Sequence, residues 1–334
     1  MRLIQLTHPT HGRRVGIVEE PKVILLNKTI TSSYDLFLDI INTKQPHLPA
    51  INSLKINESL SYDEIYQSKN GFKILSPMDC SDPMHCVVSG TGLTHRASAE
   101  NREKMNKQQK DATLTDSMKM YLMGEEGGKP EGNNVGVQPE WFYKGSGVNL
   151  KGHGDQLTVP DYANDGGEEP EIAGVYLISA KGVPHRIGFV QGNEFSDHVM
   201  EKKNYLYLAP SKLRMCSVGP ELVLDVEFNS LPGIVKIFRK EKVLWSKEVK
   251  TGEAVMSHSL ANLEHHHFKY EQHRIPGQLH IHYFGTGAFS FGENIKLEQG
   301  DEMSISFENM GRPLVNPLLV VQEKEQLTRV NVLK

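Results

Sequence analysis

The stretch that most constrains this chain is Glu169-Pro170-Glu171, followed at a short distance by Gly192-Asn193-Glu194. Two hydrophobic segments, 172–178 and 187–190, lie between these carboxylates. In an extended strand, residues two apart point to one face, so Glu169 and Glu171 converge. If the second segment pairs with the first, Glu194 arrives at the same point. Clustered carboxylates repel unless something positive sits between them. Ligation by oxygen alone, without Cys or His, suits a hard cation: Mg²⁺ first, with Mn²⁺ or Ca²⁺ behind it. Mg²⁺ held by few carboxylates keeps positions open for a substrate's own oxygens, so the cluster points to catalysis. Taken alone, Glu-x-Glu on a strand is more often a solvated face. The surrounding chain decides between the two.

A chain of 334 residues can bury a sizeable core as one large domain with an appendage, or as two domains. A net charge of −4 gives no electrostatic argument for nucleic acid or an anionic membrane surface. No apolar run approaches the roughly 18 residues of a membrane helix, and the first residues turn polar too quickly for a secretory signal. Cys80, Cys86 and Cys216 form an odd set without framework spacing, which favours a reducing interior with each thiol as a small buried hydrophobe. These features lead us to expect a cytoplasmic enzyme.

Three regions separate along the chain. Residues 1–80 mix short strands, at 14–19 and 23–26, with a helix at 33–42 that ends before the breakers Pro46 and Pro49. They read as a small N-terminal α+β domain, with 81–334 as the catalytic domain. There, 86–92 reads as a strand entering a Gly-rich turn and 98–110 as a helix. Residues 105–137 carry Gly124, Gly127, Gly128, Gly132 and Gly136 with little apolar content, a composition expected to pack poorly and to move, as a lid does. From 138 to about 320 the chain is strand-rich, with alternation at 221–228, 233–238 and 302–307.

Fifteen histidines are present, including His265-His266-His267 and the pair His280 and His282. His-x-His on one strand face is a zinc element only with further ligands at matching spacing. Three consecutive histidines cannot all face one ion, so packing or substrate contact is the expected role.

From Gln138 to Pro317 the chain resembles the fumarylacetoacetate hydrolase superfamily. The pieces follow in that family's order: Pro139-Glu140-Trp141-Phe142-Tyr143-Lys144-Gly145; Gly152-His153-Gly154-Asp155 with Pro160; Glu169-Pro170-Glu171; Gly188-Phe189-Val190-Gln191-Gly192-Asn193-Glu194; Lys212 with Ser217-Val218-Gly219-Pro220; Gly285-Thr286; Gly300-Asp301; and Gly311 through Asn316-Pro317. Glu194 stands where the family carries Asp. The resemblance implies an α+β, mainly β fold with a rolled mixed sheet, the Gly-Thr and Gly-Asp turns at strand ends facing the cleft, a homodimer, and Glu169, Glu171 and Glu194 as ligands of Mg²⁺ (or Mn²⁺ or Ca²⁺).

The segment after Gly92 separates reactions within the family. Its hydrolases resemble Gly-Leu-Asn-Tyr-x-x-His-x-x-Glu, in which His and Glu activate a water. Here Ser98 and Asn101 hold those two positions, and neither serves as a general base near neutral pH. His95 and Glu100 lie nearby at shifted positions. Loss of water activation resembles the 2-keto-3-deoxy-pentonate dehydratase branch, as does Asn204-Tyr205-Leu206-Tyr207-Leu208-Ala209-Pro210-Ser211-Lys212. His198 stands where hydrolases carry Arg. The implied substrate is a small 2-oxo acid that chelates the cation through its carboxylate and keto oxygens, and whose C3 proton and C4 hydroxyl are lost. The resemblance implies Lys212, Lys144, Glu100 and His95 as acid–base candidates. It implies Arg96, Ser98, Ser196, Asp197, Gly285 and Thr286 as substrate contacts. An acylpyruvate-type C–C hydrolase with a rebuilt base and a non-catalytic sugar-acid sensor stay open beside this reading.

Overall fold

The computed structural model describes residues 1–106 and 114–333, with side chains described to 103 and again from 114. Its frame is a large mixed sheet whose main path runs through Lys55–Ser61, Lys22–Leu26, Gly12–Glu19, Arg2–His8, Leu222–Val223, Pro184–Asn193, Pro170–Ile178, Leu279–Tyr283, Cys86–Gly92 and Glu140–Ser146. Neighbours are antiparallel except Leu279–Tyr283 against Cys86–Gly92. A second sheet of five strands orders Lys242–Thr251, Leu231–Arg239, Glu302–Phe307, Leu314–Val320 and Leu157–Val159. The fold is mainly β with mixed sheets, as expected.

The Pro170–Ile178 strand is buried along its whole length, because each of its faces meets a different core. Ile172, Tyr176 and Ile178 join a cluster with Val235, Ile237 and Ile305 of the five-stranded sheet and Leu263 of helix Leu260–Phe268. Ala173, Val175 and Leu177 join another with Leu36, Phe37 and Ile40 of helix Ser33–Thr43. A strand covered on both faces reads as a continuous apolar run.

In the 1–80 segment, the strands expected at 14–19 and 23–26 and the helix expected at 33–42 are present as Gly12–Glu19, Lys22–Leu26 and Ser33–Thr43, and helices His47–Ser53 and Tyr62–Tyr66 join them. Its strands are hydrogen-bonded into the large sheet, through Arg2–His8 on Leu222–Val223, so the β core begins well before 138. The strand expected over 221–228 reduces to Leu222–Val223, since Asp225 takes a left-handed φ of 56° and turns the chain. The helix expected at 98–110 is described as Arg96–Asn106, and positions 107–113 lie outside the described residues. Within the Gly-rich stretch, Asp116–Gly127 is a helix capped by Thr115, with Met118 and Tyr121 buried. Its glycines there serve close approach: a Cβ on Gly124 would lie 2.7 Å from His258 Nε2, and one on Gly128 would lie 2.5 Å from the Ser257 carbonyl. No helix among the described residues is long and apolar enough to cross a membrane.

Candidate metal centre

The hairpin made by Pro170–Ile178 and Pro184–Asn193 builds the site. Its register sets Pro170 opposite Asn193 and Glu171 opposite Gly192. The pairing continues one step beyond the strands, with Glu194 N donating to Glu169 O at 3.0 Å. Glu194 therefore stands directly across from Glu169, and Glu171 follows two residues along. Asn193 Oδ1 accepts from the amides of Glu169 and Phe195, both at 3.2 Å, and so clamps this end of the hairpin. The outcome is a buried triad in which Glu169, Glu171 and Glu194 each offer an oxygen within 4.8 Å of the others. It is the one such cluster among the described residues.

Two lysines enter from neighbouring elements. On strand Glu140–Ser146, Glu140, Phe142 and Lys144 alternate and share a buried face. Lys144 Nζ reaches Glu194 Oε1 at 2.6 Å and the Phe195 carbonyl at 2.7 Å. Lys212, last residue of helix Leu208–Lys212, reaches Glu169 Oε1 at 2.6 Å, Glu194 Oε2 at 2.5 Å and Ser196 Oγ at 2.9 Å. Its ammonium also sits 4.9 Å from the centre of the Phe142 ring. Both lysines are fully buried. Burial works against the Lys212 charge, yet Glu169, Glu194 and Glu201 override it and raise its pKa. For Lys144, burial outweighs Glu194 and the pKa is lowered. Burial and the neighbouring charges of Glu194 and Glu169 push Glu171 well above the usual carboxylate range.

The remaining expected site residues divide. Ser196 Oγ donates to Glu194, and the Gly285 amide donates to Glu171 Oε2 at 2.8 Å. Gly285 is required there: its φ is +95°, and a Cβ would lie 2.1 Å from Thr94 Oγ1. His95 is buried beside this turn with both nitrogens engaged. Thr94 Oγ1 gives its one proton to the Phe284 carbonyl at 2.6 Å, so it accepts from His95 Nδ1. That leaves Nε2 to accept from Thr251 Oγ1 at 3.1 Å, and burial depresses the imidazole to about 4. Ser98 is buried in the next helical turn. Arg96 and Glu100 are not brought to the carboxylates. They face solvent and pair with each other at 3.7 Å, one helical turn apart. Asp197 caps helix His198–Lys203 and pairs with Arg214 at 3.2 Å. Thr286 Oγ1 donates to the Ala288 carbonyl within its own turn. The Gly300-Asp301 turn lies elsewhere, where Asp301 holds Arg239 at 2.8 Å.

Sequence reading missed four charged residues that surround the centre. Arg102 donates to both oxygens of Glu140, at 3.0 and 3.1 Å, and lies 3.7 Å from Glu201. Glu140 also accepts from Tyr205 Oη, and Glu201 from Ser211 Oγ at 2.9 Å. Buried Glu168 accepts from the Ser290 amide and hydroxyl. For Glu140 the alternation Glu140-x-Phe142-x-Lys144 was a usable signal; the others had none.

No family model matches the chain. It is 27% identical over 180 residues to a probable 2-keto-3-deoxyxylonate dehydratase of Haloferax volcanii, covering 52% of this chain and 58% of that one. It is 30% identical over 122 residues to 2-dehydro-3-deoxy-D-arabinonate dehydratase of Saccharolobus solfataricus, covering 35% and 40%. The chain thus spans about half the length of the curated relatives it matches. A structure of 2-keto-3-deoxy-D-arabinonate dehydratase with magnesium and 2,5-dioxopentanoate superposes with a TM-score of 0.71 at 20% identity, over 97% of this chain and 100% of that one. A 5-carboxymethyl-2-hydroxymuconate delta-isomerase from Mycobacterium smegmatis reaches 0.59 at 17% identity, over the same shares. In fold the chain matches 2-keto-3-deoxyarabinonate dehydratase, and in sequence it resembles, over part of its length, the dehydratases of 2-keto-3-deoxy sugar acids.

Proposed function

We propose that the chain is a metal-dependent dehydratase of 2-keto-3-deoxy sugar acids, a pentonate being the expected size. The observation that carries this is the buried triad of Glu169, Glu171 and Glu194 held between Lys144 and Lys212. Three carboxylates and no softer donor fit Mg²⁺, with Mn²⁺ or Ca²⁺ behind it. When bound, such an ion supplies Lewis acidity toward a 2-oxo group and so acidifies the adjacent C3–H. Dehydration needs a group that takes the C3 proton and one that protonates the leaving C4 hydroxyl. Lys144 and Lys212 meet Glu194 on its two different oxygens, so they flank the carboxylates from two sides. Water leaves as the C3=C4 bond forms; loss of a proton from C5 and gain of one at C3 shift it to a C4=C5 enol, and moving the enol's hydroxyl proton to C4 completes the aldehyde of a 2-oxo semialdehyde. Complete burial of both lysines keeps bulk water from these proton transfers.

The hydrolytic alternative finds less support. Ser98 and Asn101 hold the positions where hydrolases carry His and Glu, both nitrogens of His95 are taken, and Glu100 faces solvent. Proton-NMR turnover with Mg²⁺ tests the proposal. The expected result is loss of the C4 hydroxyl, silenced by EDTA and restored by Mg²⁺ or Mn²⁺. Cleavage into two acids would install the hydrolase reading instead, and no turnover would favour a sugar-acid sensor. A cytoplasmic location and a homodimer belong to the same proposal. The free thiols of Cys80, Cys86 and Cys216 support the first, and light scattering tests the second.

A further inference from the structure

The oxygens of the triad are not equally free. Glu171 Oε2 accepts the Gly285 amide at 2.8 Å, while no donor among the described residues reaches its Oε1. Glu169 Oε1 accepts Lys212 Nζ at 2.6 Å and His198 Nε2 at 3.0 Å, while its Oε2 meets no such donor. Of the two donors on Glu169 Oε1, the lysine divides its ammonium among Glu169, Glu194 and Ser196 at the end of a flexible stem. The imidazole is held in a slot. Its ring stacks between Phe289, at 4.8 Å and 12°, and Phe291, at 5.2 Å and 27°. Behind it Gly167 leaves room for the ring, since a Cβ there would lie 2.6 Å from His198 Nδ1. That Nδ1 is buried without a hydrogen-bond partner. A buried nitrogen left unpaired carries a cost that an apolar residue in the slot would avoid. The useful half of this side chain is therefore Nε2, and its one partner is the Glu169 carboxylate.

We infer that His198 is a positioning residue that restricts Glu169 to ligation through Oε2 alone, and thereby biases the centre toward Mg²⁺ or Mn²⁺ over Ca²⁺. The inference rests on the metal-binding reading above. Ca²⁺ takes six to eight oxygens and readily uses both oxygens of a carboxylate, whereas Mg²⁺ takes six at shorter distance. A carboxylate oxygen has two lone pairs, and with Lys212 and His198 both donating to Oε1 neither is free there, so Glu169 offers the ion only Oε2, which suits the smaller ion. Groups that orient a ligand in this way typically contribute ten- to a hundredfold in metal affinity.

The test uses the full chain with two substitutions. His198→Phe keeps the ring stack and removes the donor. His198→Gln places an amide donor at about the reach of Nε2. Dissociation constants are measured for Mn²⁺, by the paramagnetic resonance of the free ion, and for Ca²⁺, by competition. In His198→Phe we expect Mn²⁺ to bind about 10- to 100-fold more weakly and Ca²⁺ to change by less than about threefold, with discrimination restored in His198→Gln. An unchanged Mn²⁺-to-Ca²⁺ ratio in His198→Phe would overturn the role of His198. So would a His198→Gln variant no more selective than the Phe variant. If the Phe variant fails to fold, His198→Asn, too short to reach Glu169, takes its place under the same criteria. A wild-type protein that binds neither ion would remove the metal reading itself, an outcome distinct from an unmoved ratio.

Discussion

Glu171 is buried and faces two other carboxylates, which together hold its pKa well above the usual carboxylate range. Replacing it with Gln keeps its shape and its bond from the Gly285 amide while removing one charge. On the proposed metal-binding reading we expect Glu171→Gln to lose at least about 100-fold in turnover, since one of the three proposed ligands is gone. Without added metal, its melting temperature should equal or exceed that of the wild type, because repulsion is relieved. A clear drop in melting temperature would contradict this account of the repulsion. Lys212 has the opposite character, since its one ammonium serves three carboxylates. Lys212→Met should lower kcat far more than it raises KM, the signature of a contact made in the transition state. It should also destabilise the protein by about 3–5 kcal/mol, because buried carboxylates lose their counter-charge. Chemical denaturation and steady-state kinetics on the same preparation separate the two effects.

Helix Arg96–Asn106 contributes His95 just before its start and Ser98 within it, and its tie to the site is Arg102. Arg102 and Glu140 are nearly sealed from solvent, so the pair joins this helix to the strand that carries Lys144. Cutting one side of a buried ion pair costs more than removing both sides. Arg102→Met should therefore cost about 3–5 kcal/mol, and adding Glu140→Gln should recover part of that loss. Hydrogen exchange in 96–103 should rise in the single variant and fall back in the double one. If the two losses simply add, the pair does not anchor the helix.

Over the whole molecule, pH acts through buried histidines outside the metal centre. Trp141 Nε1 can only donate, and it reaches His267 Nδ1 at 3.2 Å. His267 must then donate from Nε2 to His280 Nδ1 at 2.9 Å, which leaves the proton on His280 at Nε2 without a partner. His282 stacks on His267 and lies between Ser89 and Thr91. Burial, aided by the neighbouring imidazoles, lowers His280 and His282 to about 3 and His267 well below its ordinary value. A base depressed in the folded state is neutral there and protonated once unfolded. Its contribution is present above about pH 6.5 and is lost as pH falls toward 3, at up to about 1.4 kcal/mol per pH unit per histidine. Glu168 and Asp165, raised by burial, tilt the curve the other way in part of this range, so the comparison must be with a variant. His280→Leu should flatten the fall in stability between pH 6.5 and 4 relative to wild type. Parallel curves would show that this imidazole stays unprotonated in both states or titrates alike in both.

The cores and the centre differ in how far they were readable from the chain. The apolar runs at 172–178 and 187–190, the short N-terminal strands and the helix ending before Pro46 were legible, because period and breakers are local properties. The convergence of Glu169 and Glu171 followed from strand geometry alone, and Glu194 from the assumption that adjacent apolar runs pair. Which charges face that cluster was not legible. Arg102 and Glu201 sit on helices whose polar residues look solvated in sequence, and Arg96 and Glu100 do face solvent. In the Gly-rich stretch, glycine signals only the absence of a side chain, and His258 against Gly124 turns that absence into close packing. The amino-acid sequence by itself determined the strands and the carboxylates that meet on one hairpin, because a two-residue period acts within a few ångströms of the chain. Tertiary structure alone decided the counter-charges, the neutral histidines and the slot around His198, because burial and pairing of charge depend on neighbours tens to hundreds of residues away.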